Sequence, residues 1–444
     1  MIDFKERISE KTMFFFLLPL LLSGVFQQIF TPYSTAIAAR YLPEHSLAVV
    51  GALGAYKSVQ DAIFVGMTTG FSFCVNRAAG DQDPGRYVRV FREALYLTGG
   101  LWIVSILLSM FPEPILFLSN VPEEIIEEAG KYLPFLLLAG GFWGIENLLL
   151  CVVQGTGDTK FPSAAVVCAT VFQLLILWML LDVFGLGIEA VSISILSYHL
   201  LLCLLLGGYL FRTTLGKELR TCLFAKEPFK NRTVDFSELL RSGMAKVSMM
   251  LMVSLGFFIM QRRVNQLSLD YLAGYAHASS LNAFLQQPLC VYATAGGIIS
   301  ARTIGEKKKE LFQFYNRRLL IYSAIWSLFF FMTVIPAAPA LIRMMAGEQA
   351  GTSVIEAGVF WIRIAAVSYF LLALLMISRN ALQAMGHYRI LLLLGFLEMS
   401  VNLVFGWVCI PLWGYAAYCI STVFRWGVPA IAGYLAYRRR VRLE

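Results

Sequence analysis

Long apolar runs alternate with short polar connections along nearly the whole chain. About 20 apolar residues suffice to cross the ~30 Å hydrocarbon layer of a bilayer, and twelve runs fit that length. In the first half they fall at Met13–Phe30, Leu47–Val75, Ala94–Leu118, Tyr132–Val153, Phe161–Leu181 and Gly185–Phe211. In the second half they fall at Met244–Met260, Tyr271–Ile299, Leu319–Met345, Ala357–Ile377, Ile390–Ile410 and Trp413–Tyr437. The pattern predicts an all-α polytopic membrane protein. The first run is read as a span and not as a cleavable signal. It is long, holds Pro19 and the polar pair Gln27–Gln28, and no small-residue cleavage site precedes the next span.

Composition supports this. Of the 444 residues 58% are hydrophobic and only 14% charged, and the mean hydropathy is +0.69. A soluble protein needs far more polar surface. The eight cysteines are scattered, mostly inside apolar runs, with no CxxC and no zinc spacing. They read as small packing residues rather than a disulfide framework or a metal site. With the N-terminus inside, 28 of the 36 lysines and arginines fall on the same side as both termini. The positive-inside bias then puts both termini in the cytoplasm of a cell-membrane protein. That topology accounts for the net charge of +8, so nucleic-acid binding is not needed. Lys307–Lys309 and Arg438–Arg440 are candidates for contact with anionic headgroups.

The chain also repeats itself. "NRAAGDQDPGRYVRVFREAL", residues 76–95, follows the second run, and "ARTIGEKKKELFQFYNRRLL", residues 301–320, follows the eighth at an offset of 225. "VVQGTGDTKFP" follows the fourth run and "ALQAMGHYRIL" the tenth, with Gln154, Gly157 and Lys160 matching Gln383, Gly386 and Arg389 at an offset of 229. Six runs precede a basic connection and six follow it. This predicts a parallel duplication: an N-terminal six-helix lobe over 1–215, a cytoplasmic connecting loop over 216–242 and a C-terminal lobe over 243–444. Duplicated transporter halves place their sites near the bilayer midplane.

The corner "CVVQGTGDTKFPS" could be mistaken for a nucleotide loop, but GxxxxGK[ST] after a strand is missing. It reads first as a helical hairpin corner. Gly155 and Gly157 would supply backbone angles closed to other residues, Asp158 a helix cap and Pro162 a helix start. The second reading is that this corner and its counterpart at Gly386 help to close a cytoplasmic gate.

Charges inside spans are costly and are functional candidates by default. Lys57 and Asp61 lie four residues apart in the second run, hence on one helix face. Glu146 lies in the fourth beside Asn147. Glu398 lies in the eleventh with Asn402 one turn on, and Arg425 lies midway along the twelfth. One reading makes Asp61 and Glu146 the places where a proton or a sodium ion binds, and makes Glu398 with Arg425 a polar cluster of the second lobe. The other reading is structural ion pairs that lock helices together. Lys246 and Arg363 lie nearer span ends and snorkel. His199 and His277 lie in spans, as proton relays or as hydrogen-bonded packing residues. Gln27, Gln28, Gln286 and Gln287 are cavity candidates, since paired amides facing lipid are costly. Phe14–Phe16 and Phe329–Phe331 read as lipid-facing.

On "LPLLLSGVFQQIF", the loop over residues 76–95, "VVQGTGDTKFP", "SGMAKVSMMLMVSLGFFIMQRRVNQL", "AGYAHASSL" and "ALQAMGHYRI", the chain resembles the multidrug and toxic compound extrusion (MATE) transporters of the larger flippase superfamily. The resemblance implies two pseudo-symmetric six-helix lobes forming a V-shaped cavity. It also implies secondary active efflux, by alternating access, of amphipathic or cationic organic compounds in exchange for H+ or Na+, by a monomer with no bound cofactor. The departures are informative. Ser34 stands where many members carry an acid in the first span, "MMLMVSL" has no acid in the seventh, and Asn282 replaces an acid in the eighth. The alternative function within the superfamily is flipping of a lipid-linked saccharide or another amphipathic lipid. An enzyme is disfavoured because neither HExxH nor GxSxG occurs. A channel is disfavoured because duplicated lobes suit alternating access.

Overall fold

The computed structural model describes residues 9–81, 83–118, 122–213, 233–347 and 350–443. The described residues are helical throughout their ordered elements, with no strand. In chain order the helices are α1 (Glu10–Tyr41), α2 (Glu44–Ala52), α3 (Gly54–Gly80), α4 (Pro84–Ser109), α5 (Glu113–Leu118), α6 (Ile126–Gly155), α7 (Lys160–Asp182) and α8 (Glu189–Arg212). They continue as α9 (Thr233–Val264), α10 (Leu269–Leu285), α11 (Gln287–Gly305), α12 (Lys309–Ala346), α13 (Thr352–Ala384), α14 (Tyr388–Val404) and α15 (Ile410–Leu443). Among the described residues nine segments are each long and apolar enough to cross a membrane: α1, α4, α6, α7, α8, α9, α12, α13 and the stretch Tyr388–Leu443. That stretch is two spans, separated by a π-helical turn at Phe405–Cys409 and by Gly414, whose φ of 56° breaks the helix. With α3 and the α10–α11 pair, which are interrupted or more polar, the spans number twelve.

The expected second and eighth spans are each built from two helices. Leu47–Val75 divides at Leu53, and Tyr271–Ile299 divides at Gln286. Pro288 explains the second break: it has no N–H to donate, and its ring would collide with the carbonyl four residues back. The offset of 225 places the start of α2 on the start of α10 and the end of α3 on the end of α11. The duplication therefore extends over this whole helical pair, with the break moved along it. The sixth span starts at Glu189 rather than Gly185, because Gly185 (φ 62°) sits in a left-handed turn before the helix.

The chain divides into two compact units, Met1–Val247 and Ser248–Glu444, and the division falls inside α9. Of the connecting loop expected at 216–242, residues 216–232 lie outside the described residues, and Thr233 onward is already helix. Within the first unit α6 is the hub, packing on α3, α4 and α8, and within the second α13 packs on α10, α11, α12 and α15. These are the fourth spans of the two halves, and the offset of 229 superposes their ends, Gly155 and Ala384. The Phe triplets face outward in part: Phe14, Phe15, Phe329 and Phe331 are exposed, while Phe16 and Phe330 turn into the protein.

Polar groups inside these helices repair backbone defects. Pro339 cannot donate to the carbonyl of Ile335, and Arg363 Nε donates to it instead at 3.1 Å. Arg363, read from the sequence as snorkelling, thus anchors α13 to α12. Gly70 on α3 lets α9 approach so closely that Ser242 Oγ donates to the Gly70 carbonyl at 2.7 Å.

Candidate functional site

Asp158 closes the corner after α6 as expected. Its Oδ1 accepts from the backbone N–H groups of Lys160 (3.0 Å) and Phe161 (3.3 Å), and its Oδ2 accepts from the Tyr209 hydroxyl. Gly157 has φ 89° and donates to the Gln154 carbonyl at 3.0 Å; Gly386 has φ 81° and donates to Gln383 at 3.0 Å. The two halves thus make the same left-handed turn. Gly155 departs from the expectation: it is the last helical residue of α6. A Cβ there would overlap the Asn76 side chain of α3, which would have to move.

Two bonded pairs of chemistry-bearing side chains in the first unit, Lys57–Asp61 and His199–Glu146, each place one member on the Trp143 ring of α6. Lys57 Nζ donates to both carboxylate oxygens of Asp61, at 2.9 and 3.1 Å, and sits 4.6 Å from the centre of the Trp143 ring. His199 on α8 stacks on Trp143, with ring centres 5.5 Å apart, and its Nδ1 lies 2.5 Å from Glu146 Oε2. Trp143 and Glu146 are three residues apart on α6, one turn of the same face. Exposure falls along the cluster, from 39% and 30% for the Lys57 and Asp61 side chains to 10% and 7% for His199 and Glu146. Lys57–Asp61 is thus the exposed end of the cluster and Glu146–His199 the buried one. The adjacent Tyr198 hydroxyl accepts from Gln27 Nε2 of α1 at 2.7 Å.

Asn147 points elsewhere: its amide donates to Thr68 (2.9 Å) and Thr69 (3.1 Å) and ties α6 to α3. Gln28 is half-buried on α1. Ser34 is half-buried on α1 and has a partner of its own.

The second unit places its polar residues differently. Glu398 pairs with Arg379 Nη1 on α13, at 3.4 Å, rather than with Arg425. Arg425 lies over the rings of Phe257 (5.7 Å) and Trp426 (5.6 Å), in electrostatic range of Glu398 but without an ion pair to it among the described residues. Asn402 is fully buried, and neither atom of its amide has a hydrogen-bond partner among the described residues. Asn282 accepts from the Tyr369 hydroxyl at 3.0 Å and donates to Gln286 at 3.3 Å. Gln287 opens α11, half-buried.

The offset of 225 places Lys57 on Asn282 and Asp61 on Gln286. Both pairs are spaced i, i+4 and both are bonded. One half of the duplication therefore carries a charged pair where the other carries a neutral amide pair. The titratable cluster belongs to the first unit.

A family model for MatE matches residues 19–179 and again 247–408, which is most of the chain and one copy in each half. The chain belongs to the MATE family. Among relatives of known sequence it is 26% identical to the probable multidrug resistance protein YoeA of Bacillus subtilis (strain 168), over 71% of this chain and 68% of that one. Among solved structures it is similar to a mutant of the Vibrio cholerae MATE transporter VcmN, with TM-score 0.85 and 17% identity over 98% of this chain and 97% of that one. It is also similar to a MOP superfamily transporter from Pyrococcus furiosus, with TM-score 0.80 and 16% identity over 98% and 99% of the two chains. This MATE-family chain is a multi-pass membrane protein with a transporter fold, not an enzyme fold.

The sequence singled out Lys57 and Asp61 as a pair on one helix face, and Glu146 and His199 separately from it. It missed Trp143, which brings them together, and Arg379, the partner of Glu398. Trp143 carried a weak signal, since it precedes Glu146 by three residues.

Proposed function

We propose that this MATE transporter is a proton-coupled exporter of amphipathic organic cations, and that the coupling proton is held at Glu146–His199. The observation that carries this reading is the buried contact between that carboxylate and that imidazole, which shares the Trp143 ring with a half-exposed Lys57–Asp61 pair. With Lys57, Asp61 and Glu146 ionised, the four groups sum to −1 when His199 is neutral and to 0 when it is protonated. A buried site of net charge −1 attracts an organic cation, and an aromatic ring beside it adds cation–π attraction. An incoming proton cancels that charge and weakens the hold on the cation. Because such linkage is reciprocal, cation and proton compete, which is what antiport by alternating access requires. Histidine nitrogen suits a proton better than sodium, which prefers oxygen ligands. Both termini would be cytoplasmic in a cell membrane, and the Gly157 and Gly386 turns would lie at the cytoplasmic ends of their spans.

The test is efflux of a fluorescent organic cation from proteoliposomes under an imposed pH gradient or an imposed sodium gradient, with wild type, Glu146→Gln and Asp61→Asn. The reading expects the pH gradient alone to drive efflux and Glu146→Gln to abolish the drive. Sodium-driven efflux unaffected by either carboxamide would overturn it. Failure of any cation to move, with scrambling of a labelled lipid instead, would favour the flippase alternative.

A further inference from the structure

The turn that carries Lys307–Lys309 and the last turns of α15, which carry Arg438–Arg440 and Arg442, come together at one end of the second unit. Val441, in the last turns of α15 beside Arg438–Arg440 and Arg442, lines the same cavity as Lys307, Lys308 and Lys309. The cavity holds about 240 Å³, and its remaining wall is apolar, including Phe312 and Met385. The lysines are presented by a tight turn between α11 and α12. Lys307 has φ 58°, the left-handed region where glycine is normally found, and Lys307 and Lys308 donate back to the carbonyls of Ile304 and Thr303 at 3.0 Å each. A side chain held at such an angle costs about 1 kcal/mol or more relative to glycine. Tyr437 of α15 packs against Phe312 of α12, with ring centres 5.9 Å apart, which fixes the two elements against each other.

Charge there is unbalanced. Glu306 is engaged by Arg302 (3.5 Å) and Lys308 (3.8 Å), and Glu310 lies in the first turn of α12. Against these two acids stand Arg302 and the three lysines that line the cavity. The cavity is smaller than the ~300–1,000 Å³ of sites for drug-sized molecules, so it does not suit the exported compound. It suits a compact anion with a short apolar stem.

We infer that this cavity binds a phosphate-bearing anion at the membrane surface, with Lys307, Lys308 and Lys309 holding the charge and Phe312, Met385 and Val441 receiving the stem of its ester. An anionic phospholipid headgroup and free phosphate share that chemistry, and the apolar wall favours the lipid. The inference is independent of the export reading.

The test uses the full chain, purified and delipidated in detergent, with native mass spectrometry for bound lipid and thermal unfolding for protection. The probes are phosphatidylglycerol, phosphatidylcholine and inorganic phosphate. The proteins are wild type, the triple variant Lys307→Gln/Lys308→Gln/Lys309→Gln, and Arg262→Gln as a control outside the cavity. Surface lysines each contribute roughly fivefold to affinity for anionic lipid. The triple variant should therefore bind phosphatidylglycerol roughly 100-fold more weakly, with the control unchanged and phosphatidylcholine never retained. Should the triple variant not fold, Lys309→Gln alone should show roughly a fivefold loss. Protection by inorganic phosphate equal to that by phosphatidylglycerol, and lost in the same variants, would assign the site to free phosphate. Undiminished phosphatidylglycerol binding by the folded lysine variants, or equal retention of both lipids by wild type, would overturn the inference.

Discussion

Replacing Glu146 by Gln keeps the shape of the side chain and removes one unit of charge from the most buried part of the cluster, 2.5 Å from His199. The folding cost is modest. A hydrogen bond to a charged group is worth about 1.5–3 kcal/mol and a neutral one about 0.5–1.5 kcal/mol. His199 can remain neutral beside the amide, so the expected loss is about 1–2 kcal/mol and the variant should purify. The functional cost is larger. The cluster then sums to 0 or +1, never −1. For a substrate charge ~6 Å away at an effective dielectric constant of ~20, losing one negative charge is worth about 3 kcal/mol, or about 100-fold in affinity. The assay is binding of a fluorescent lipophilic cation to purified protein between pH 6 and pH 8. In wild type, affinity should rise with pH, because loss of the proton held by the Glu146–His199 pair leaves the site negative. In Glu146→Gln, with His199 neutral beside the amide, the cluster stays at 0, so affinity should be about 100-fold weaker than wild type at pH 8 and should hardly change with pH. Wild-type affinity and an unchanged pH profile in the variant would refute the charge-balance reasoning.

Other predictions rest on separate features. Arg379→Gln strands the buried Glu398 and should cost about 3–5 kcal/mol, seen as a clear loss in thermal unfolding; pairing it with Glu398→Leu should recover most of that loss. Gly157→Ala and Gly386→Ala each force a methyl group into a left-handed turn and should each cost about 1–2 kcal/mol, by the same amount in both halves if the two turns are equivalent. Asn147→Ala removes the two hydrogen bonds to Thr68 and Thr69 and should cost about 1–2 kcal/mol, while proton-driven efflux by the folded fraction persists.

The fold was legible because span length and the parallel duplication are one-dimensional signals. Twelve apolar runs, two offsets and the lysine–arginine asymmetry need no knowledge of how helices rotate. Local pairs were legible for the same reason. Lys57 and Asp61 share a helix face by spacing alone, and they are bonded. Pairs across helices were not. Glu146 and His199 are 53 residues apart, and only the rotation of α6 and α8 brings them together. Glu398 chose Arg379, 19 residues away, over Arg425, because α13 and not α15 presents its guanidinium to that carboxylate. The break at Gln286 had its signal in Pro288, but its position relative to the break at Leu53 is a property of the two packed helices. Gly155 shows the limit of reading glycine as a turn residue, since its missing side chain serves the approach of Asn76.

The central claim is that one proton leaves the Glu146–His199 pair when a cation binds. The most direct measurement is proton release into a weakly buffered solution, followed with a pH-sensitive dye, as a permanently charged organic cation is titrated into purified protein near the midpoint of the binding pH profile. Proton and cation binding are linked, so wild type should release a substantial fraction of one proton per cation bound, and Glu146→Gln should release far less at concentrations that give equal occupancy. Cation binding with no proton release in wild type, or equal release by both proteins, would contradict the account.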